Sequence, residues 1–511
     1  MTVNVQHRKW AIFLALFIAA LVLRLLFIHF LTRDLDGDST IYMNLARNIA
    51  ANHVYSIQDI PPYYLTFTRV PGYPLFIALV YSLFGHDNIA AIRYSQAFID
   101  TLTCVVAGLL AATWQPDAGR KRKTALIAFV LAALCPFTIR YVPAILPETL
   151  STFLALVLAL TVSYALIAAT AKRALWWWLV SGIIAGAATM VRPDSGLFAI
   201  APGLLLAGLL IIGKKGGQQN EMSWDRANRL RTLACGAVLT VGFALAMSPW
   251  IIRNWIVFQT FQPLQPHHQG LPDGFLADGY YKWLRTWVDD QRYIKPFRWE
   301  MYYSPIMLDQ LPDKAFDSAE ERQRVGDLLL QYNQPKYFPG IERPLYKMTR
   351  ETDEGFAQIA RERIERSPAR FYLWLPAKRA FAIWFDTHSD HYPFWGEVFS
   401  DPRHHYFPAD ANNTIQRRLM LWLFAALVWG YTLLGVLGGW TLWSAEKHSM
   451  ARVGLVFAVL LMLPRVLFFS TIDNPEPRFL VQLFPFLAVL GGIALSRYQV
   501  ERHLSIQNRE R

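Results

Sequence analysis

The sequence predicts an all-α polytopic membrane protein of about ten transmembrane helices, with a mixed extracytoplasmic domain inserted between the seventh and eighth spans. Two observations carry this prediction. First, 54% of the 511 residues are hydrophobic and only 17% are charged, which is unlike a soluble protein of this length. Second, the apolar residues form runs long enough to cross a bilayer, and Lys and Arg are concentrated in the connectors between them.

The formal net charge of +12 does not indicate nucleic-acid binding. Much of the positive excess lies in short connectors and at the termini, as the positive-inside rule expects of an integral membrane protein. The three cysteines, Cys104, Cys135 and Cys235, fall in apolar segments without CxxC spacing, so we expect small core residues rather than ligands or disulfide partners.

Ten candidate spans follow one another along the chain. They are residues 10–31, 89–113, 124–141, 147–170, 175–191, 195–213, 231–252, 417–440, 450–470 and 478–497. With the N-terminus in the cytoplasm, the basic connectors fall inside, which predicts cytoplasmic termini. We expect the membrane to be a bacterial inner (plasma) membrane. The apolar run after Lys9 is long for a signal peptide and no small-residue cleavage site follows it, so we expect an uncleaved first span.

The connectors divide the chain into three predicted regions. Residues 1–255 form an N-terminal transmembrane module, 256–416 an extracytoplasmic domain, and 417–511 the last helices with a basic cytoplasmic tail. The outer loop 32–88 of the first module contains a polar-faced helix at about 39–51 and a short apolar helix at 71–85. At 1.5 Å per residue the second helix falls short of a hydrocarbon core of about 30 Å, so we interpret it as interfacial or re-entrant.

Three helices are predicted in the extracytoplasmic domain. Residues 318–332 open with a Ser-x-x-Glu capping pattern. Residues 351–366 carry charges spaced three and four apart. Residues 370–385 mix Arg and Lys with Phe, Trp and Leu, which is typical of a helix lying on a membrane surface.

Ionisable residues collect near the outer face of this topology. The set comprises the acids Asp36, Asp38, Glu148 and Asp194 and the cations Arg69, Arg140, Arg192, Arg253 and Arg478. Such groups are costly near a membrane unless they face water or each other, so the set predicts a polar cavity. A carboxylate among arginines suits a reaction in which a hydroxyl loses its proton and a phosphate departs.

Four of these side chains also have an ordinary structural explanation. Asp38 precedes a helical stretch and can cap its N-terminus. Glu148 starts a span and can complement the helix dipole. Arg192 and Arg478 lie at span ends, where long cationic side chains reach toward the interface.

Other site chemistry has little support in the sequence. His267 and His268 are candidate metal ligands, but they lack a spaced carboxylate. The sequence contains no HExxH, Walker A, GxGxxG, GxSxG or CxxC pattern, which removes several common enzyme classes.

Five short motifs, in order, resemble the GT-C class of integral membrane glycosyltransferases. The likeness is to the bacterial branch related to protein O-mannosyltransferases and lipid A aminoarabinose transferases. The motifs are Asp38-Ser39-Thr40-Ile41-Tyr42 with Leu45-Ala46-Arg47-Asn48-Ile49, then Arg69-Val70-Pro71-Gly72-Tyr73-Pro74, Pro147-Glu148-Thr149, the turn from Thr189 to Phe198, and Pro477-Arg478-Phe479. Position 39 is Ser where many relatives have a second acid, and the outer domain matches no known pattern.

The resemblance implies a GT-C-like fold and a mechanism at the matching positions. A polyprenyl-phosphate-linked sugar would enter from the outer leaflet, and Asp38 would be the general base on the acceptor hydroxyl, with inversion. Asp36 is the second candidate for the base. The implied substrate-binding residues are Tyr42, Arg69, Glu148, Arg192, Arg253 and Arg478. Some relatives use a divalent metal and others do not, so metal dependence stays open.

The resemblance also implies the partners: a lipid-linked sugar donor, a glycan, lipid or protein acceptor of the cell envelope, and membrane lipids. Two other functions compete with this interpretation. An O-antigen ligase or polymerase would use a lipid-diphosphate glycan instead. A lipid or sugar transporter would require inverted repeats and broken helices near the bilayer midplane, and the sequence shows neither.

Overall fold

The computed structural model describes residues 2–30, 35, 37–212, 226–265, 275–337, 344–385, 415–445 and 449–507, and these residues are predominantly helical. The first ten α-helices are α1 (Thr2–Phe30), α2 (Gly37–Asn52), α3 (Gly72–Phe84), α4 (Ile89–Trp114), α5 (Lys121–Ala133), α6 (Pro136–Ile139), α7 (Glu148–Leu166), α8 (Ala171–Val191), α9 (Gly196–Ile212) and α10 (Arg226–Phe258). The others are α11 (Asp278–Arg285), α12 (Ala319–Tyr332), α13 (Arg350–Arg366), α14 (Leu375–Phe385), α15 (Ile415–Trp443), α16 (Ser449–Thr471) and α17 (Phe484–Gln507).

The chain divides into two compact units. The first comprises Met1–His267, Trp429–Leu463 and Val481–Arg511, and the second comprises His268–Val428 and Pro464–Leu480. The first unit contains the helices α1 to α10.

Nine helical segments within the described residues are long and apolar enough to cross a membrane. They are Ala11–Phe30, Ile89–Trp114, Glu148–Leu166, Ala171–Val191, Pro193–Ile211, Arg229–Phe258, Trp422–Trp443, Ala451–Thr471 and Pro477–Arg497. Each corresponds to one of the predicted spans. The protein is therefore an integral membrane protein, as the composition predicted.

The predicted span 124–141 is not one continuous helix. It is divided into α5 and α6 because Pro136 disfavours helical geometry at the residue before it, and Cys135 is extended. At 13 residues α5 rises about 20 Å, which is short of a hydrocarbon core. The carbonyl of Ala133 at its end accepts a 2.9 Å hydrogen bond from Arg24. Arg24 is fully buried and pairs with Asp100 at 2.9 Å, so the cation inside the first span stabilises this helix end rather than reaching the surface.

Small residues allow α8 and α10 to approach closely. A Cβ atom on Gly182 would lie 2.1 Å from the Leu239 carbonyl oxygen, and one on Gly242 would lie 2.4 Å from that of Leu179. Helices in membranes associate through such stripes because small side chains let the backbones touch. This contact fixes the end of α8, where Arg192 follows.

The second unit has a core of aromatic side chains contributed mainly by α11, α12 and α13. Tyr280, Trp283, Tyr332 and Phe356 are essentially inaccessible. The Ser318 side chain caps α12 by accepting from the Glu321 amide, as its capping pattern predicted. Helices were also predicted at 351–366 and 370–385, and both are present. The domain was predicted to be mixed, but its described residues form helices, and their β-structure is a single isolated bridge between residues 336 and 345.

Candidate active site

An exposed carboxylate and a guanidinium pair at the start of α2. Asp38 lies in the first helical turn, because the helix begins at Gly37, one residue before Asp38 and two before the predicted start. It is therefore not the cap, although its charge still complements the helix N-terminus. Its Oδ1 lies 2.6 Å from a terminal nitrogen of Arg69, 31 positions along the chain. The Asp38 side chain is 38% exposed, so a substrate can reach the carboxyl group.

Tyr42 lies one helical turn after Asp38 on α2. The Arg69 guanidinium lies 5.9 Å from the centre of its ring, a cation–π distance. Burial and the nearby Asp38 carboxylate raise the pKa of the Tyr42 phenol, which therefore stays protonated at neutral pH. Although burial opposes its charge, Asp38 raises the pKa of Arg69, so the guanidinium remains a fixed cation beside the acid.

A second, buried group joins α7 to the turn after α8. Arg192 lies 2.6 Å from Glu148 Oε1 and 3.0 Å from Asp194 Oδ1. The side chains of Arg192 and Glu148 are 9% and 3% exposed. Glu148 Oε2 is buried and accepts no hydrogen bond among the described residues. One oxygen of this carboxylate thus has unused acceptor capacity, which is costly in a buried site.

One apolar cluster holds the two ion pairs near each other. It contains Tyr42 from α2, Tyr73 from α3, Ile145 just before α7 and Val191 at the end of α8. The rings of Tyr42 and Tyr73 pack edge to face at 5.0 Å. Both pairs act electrostatically on the Tyr42 phenol, so Tyr42 lies within range of Asp38, Arg69, Glu148 and Arg192.

At Gly72, the start of α3 lies very close to the backbone near the end of α8. A Cβ atom there would lie 2.6 Å from the carbonyl carbon and oxygen of Met190. Because the obstructing atoms are backbone atoms, α3 can keep its position against the end of α8 only if residue 72 is glycine. The Arg-Val-Pro-Gly motif therefore places Arg69 beside the turn that carries Arg192.

We expect Gly72→Ala to lower the free energy of unfolding by about 1–3 kcal/mol, the usual cost of overpacking. The measurement is the temperature at which the buried thiols of Cys104, Cys135 and Cys235 react with a thiol-specific fluorophore. Gly203→Ala is the matched control, since no atom lies within 4 Å of a Cβ at that helical position. Equal thermal midpoints for the two variants would contradict the proposed close contact.

Arg253 lies next to the site rather than in either ion pair. It donates a 2.7 Å hydrogen bond to the Thr66 carbonyl and lies 5.1–5.3 Å from the ring centres of Tyr55, Trp250 and Phe258. The Tyr55 hydroxyl in turn donates to the Arg69 carbonyl at 2.9 Å. These contacts therefore connect Arg253 to the segment that carries Arg69.

A buried polar contact next to Glu148 was not predicted. Gln482 donates through Nε2 to the Ser151 hydroxyl, which lies 3.3 Å from the Ser195 hydroxyl. All three side chains are fully buried. They connect the segment before α17 to the first turn of α7 and to the turn after Arg192. Single polar residues in apolar runs were the only sequence signal for this contact.

The remaining predicted residues have different outcomes. Arg478 belongs to the second unit, where its guanidinium pairs with Glu476. Asp36, His267 and His268 lie outside the described residues. Within the described ranges, no three His, Cys, Asp or Glu side chains come together in a group that could hold a metal ion.

Part of this sequence matches a known family. Residues 68–224 match the family model described as dolichyl-phosphate-mannose-protein mannosyltransferase. The matched stretch is under a third of the chain and contains Arg69, Glu148 and Arg192. No curated protein matches the sequence at a significant level.

The structure of this chain is similar to several solved structures, and three of them are described here. The archaeal oligosaccharyltransferase AglB from Archaeoglobus fulgidus, in complex with an inhibitory peptide and a dolichol-phosphate, is similar with a TM-score of 0.50 at 14% identity, over 97% of this chain and 51% of that protein. ArnT from Cupriavidus metallidurans in the apo state has a TM-score of 0.39 at 14% identity, over 97% of this chain and 78% of that protein. The same protein bound to undecaprenyl phosphate has a TM-score of 0.33 at 15% identity, over 95% of this chain and 78% of that protein.

This chain spans about half the length of AglB. At such low identity, the likeness to AglB concerns the fold alone. Part of the chain thus matches the mannosyltransferase family model, and the fold of the chain is similar to that of AglB.

Proposed function

We propose that this protein transfers a sugar from a polyprenyl-phosphate carrier to a hydroxyl of a cell-envelope glycan, lipid or protein, with inversion at the anomeric carbon. The reaction takes place on the extracytoplasmic face of a bacterial plasma membrane, with both termini in the cytoplasm. The description of the matched family names a dolichyl-phosphate sugar, which supports a polyprenyl-phosphate donor here.

The observation that carries the proposal is the Asp38–Arg69 pair. A carboxylate that is both reachable by substrate and held by a fixed cation meets the geometric requirement of a general base beside a phosphate. The resemblance at Asp38 to Tyr42 supports the same assignment.

The proposed chemistry is a single displacement. Asp38 accepts the proton of the acceptor hydroxyl while that oxygen forms a bond to the anomeric carbon. The bond between this carbon and the phosphate oxygen breaks, and the phosphate leaves with the electron pair. Arg69 stabilises the negative charge that develops on the phosphate, because a preorganised cation pays little reorganisation cost during the reaction.

The other candidate residues have supporting roles in the proposal. Glu148, which pairs with Arg192, accepts a hydrogen bond from a substrate hydroxyl through Oε2, the oxygen that has no partner among the described residues. The ring of the protonated Tyr42 contacts the Arg69 guanidinium and helps to hold it in place. Arg192, Arg253 and Arg478 are further candidates for contacts to the lipid phosphate. Asp36 remains the second candidate for the base.

The test is transfer by purified protein in lipid nanodiscs, using two donors that differ only in the carrier linkage. With a polyprenyl-phosphate sugar we expect transfer to an envelope extract and release of polyprenyl phosphate. With the matching polyprenyl-diphosphate sugar we expect little or no transfer. Preference for the diphosphate donor would instead support a ligase or polymerase. Movement of intact donor across the bilayer without bond cleavage would support a transporter.

A further inference from the structure

The segment from Arg370 to Phe385 has one face that is fixed inside the second unit. It consists of a π-helical turn, Arg370–Trp374, continued by α14. Leu375, Arg379 and Ile383, spaced four residues apart, are at most 5% exposed. The Arg379 guanidinium donates to the carbonyls of Val288 and Arg285 and so holds the helix against the end of α11.

The same segment also presents large apolar side chains to the outside. Tyr372, Leu373, Trp374 and Phe381 are 64%, 70%, 58% and 58% exposed, and we call these four residues the exposed apolar face. Three of the four are consecutive and lie in the π-helical turn. Isolated exposed leucines are ordinary, whereas a group of this kind indicates an interaction surface.

Charge beside this face favours one kind of partner. Lys378 lies between Trp374 and Phe381 in sequence and is 47% exposed. Its ammonium lies 5.5 Å from the centre of the Trp374 ring and 3.6 Å from Asp289 Oδ2, and its exposure leaves it open to a further anionic partner. Trp, Tyr and Lys together are typical of elements at the boundary between lipid head groups and acyl chains. The second unit itself contains the ends of three membrane-spanning segments, so it is joined directly to the bilayer.

We propose that the exposed apolar face is inserted into the membrane surface, with Tyr372, Leu373, Trp374 and Phe381 among the lipids and Lys378 at the anionic head groups. The segment is thus a lipid-binding element of the second unit, separate from the nine membrane-spanning segments found among the described residues of the chain. The proposal does not depend on the sugar or acceptor that the enzyme uses.

Single-cysteine labelling tests the proposal. The native cysteines are buried, so Leu373→Cys can be labelled selectively with an environment-sensitive fluorophore in nanodiscs of phosphatidylcholine and phosphatidylglycerol. Leu330→Cys is the matched control, because Leu330 is similarly exposed, at 67%, on α12 of the same unit, among polar neighbours. We expect nitroxide-bearing lipids to quench the label at 373 at least threefold more strongly than the label at 330, and aqueous iodide to do the reverse.

Equal quenching at the two positions would overturn the proposal. Protection of position 373 that rises with protein concentration in detergent, without lipid quenching, would assign the face to a second copy of the chain instead. A Lys378→Glu exchange in the labelled Leu373→Cys protein adds an independent measurement. It should weaken lipid quenching in nanodiscs with phosphatidylglycerol and change it little in phosphatidylcholine alone. An unchanged signal in both lipids would contradict the role of Lys378.

Discussion

Replacing Asp38 with asparagine is expected to reduce sugar transfer by about 10²–10⁴-fold, the usual contribution of a general base. Asparagine has nearly the same shape, and its side-chain oxygen can still accept a hydrogen bond from Arg69. It cannot take the proton of the acceptor hydroxyl. The substitution should therefore lower the turnover rate, while the affinity for the polyprenyl-phosphate donor changes by only a few fold. Initial rates and donor binding are measured on the same purified protein.

The chain offers a matched control for this experiment. Asp87 also pairs with an arginine of α2, Arg47, at 3.0 Å, and both side chains are about a third to a half exposed. Surface pairs of this kind contribute little to stability. Asp87→Asn should therefore leave transfer and thermal stability close to wild type. If Asp38→Asn also turns over at a near wild-type rate, Asp38 is not the base, and an equal loss in Asp36→Asn alone would assign the role to Asp36.

The sequence predicted those features that depend on residues close together in the chain. Length and hydropathy predicted nine of the spans, because a bilayer crossing requires a long apolar run wherever it occurs. The Ser318 cap and the short helix α3 follow from residues adjacent in the chain. The break at Leu134 to Pro136 was missed, because a proline at the start of a helix and one that interrupts a span look alike in a hydropathy profile.

Contacts between distant residues were beyond the sequence argument. It collected Asp38, Glu148, Arg69 and Arg192 as one set, but it did not show which acid pairs with which arginine. That pairing depends on the approach of α3 to the end of α8. Gln482 was missed for the same reason, since a single glutamine in an apolar run gives no sign of its partner Ser151, 331 positions away.

The second prediction of large effect concerns the buried pair of Glu148 and Arg192. Arg192→Met should destabilise the protein by about 3–5 kcal/mol, because it leaves a buried carboxylate without its cation. The double variant Glu148→Gln/Arg192→Met removes both charges, so we expect it to recover part of the lost stability. Thermal midpoints of the wild type, the two single variants and the double variant provide the double-mutant cycle.

Transfer activity per folded molecule then separates a structural role from a substrate-binding role. If the pair only stabilises the fold, transfer should return together with stability in the double variant. We expect the opposite: a folded double variant that remains at least a hundredfold impaired, because in the proposed function Glu148 and Arg192 contact the donor. The buried pair Arg24–Asp100 is the control, since Arg24→Met/Asp100→Asn should cost stability while the remaining folded protein transfers at the wild-type rate. A Glu148→Gln/Arg192→Met protein with wild-type transfer would remove both residues from the proposed site and leave the Asp38–Arg69 pair as its centre.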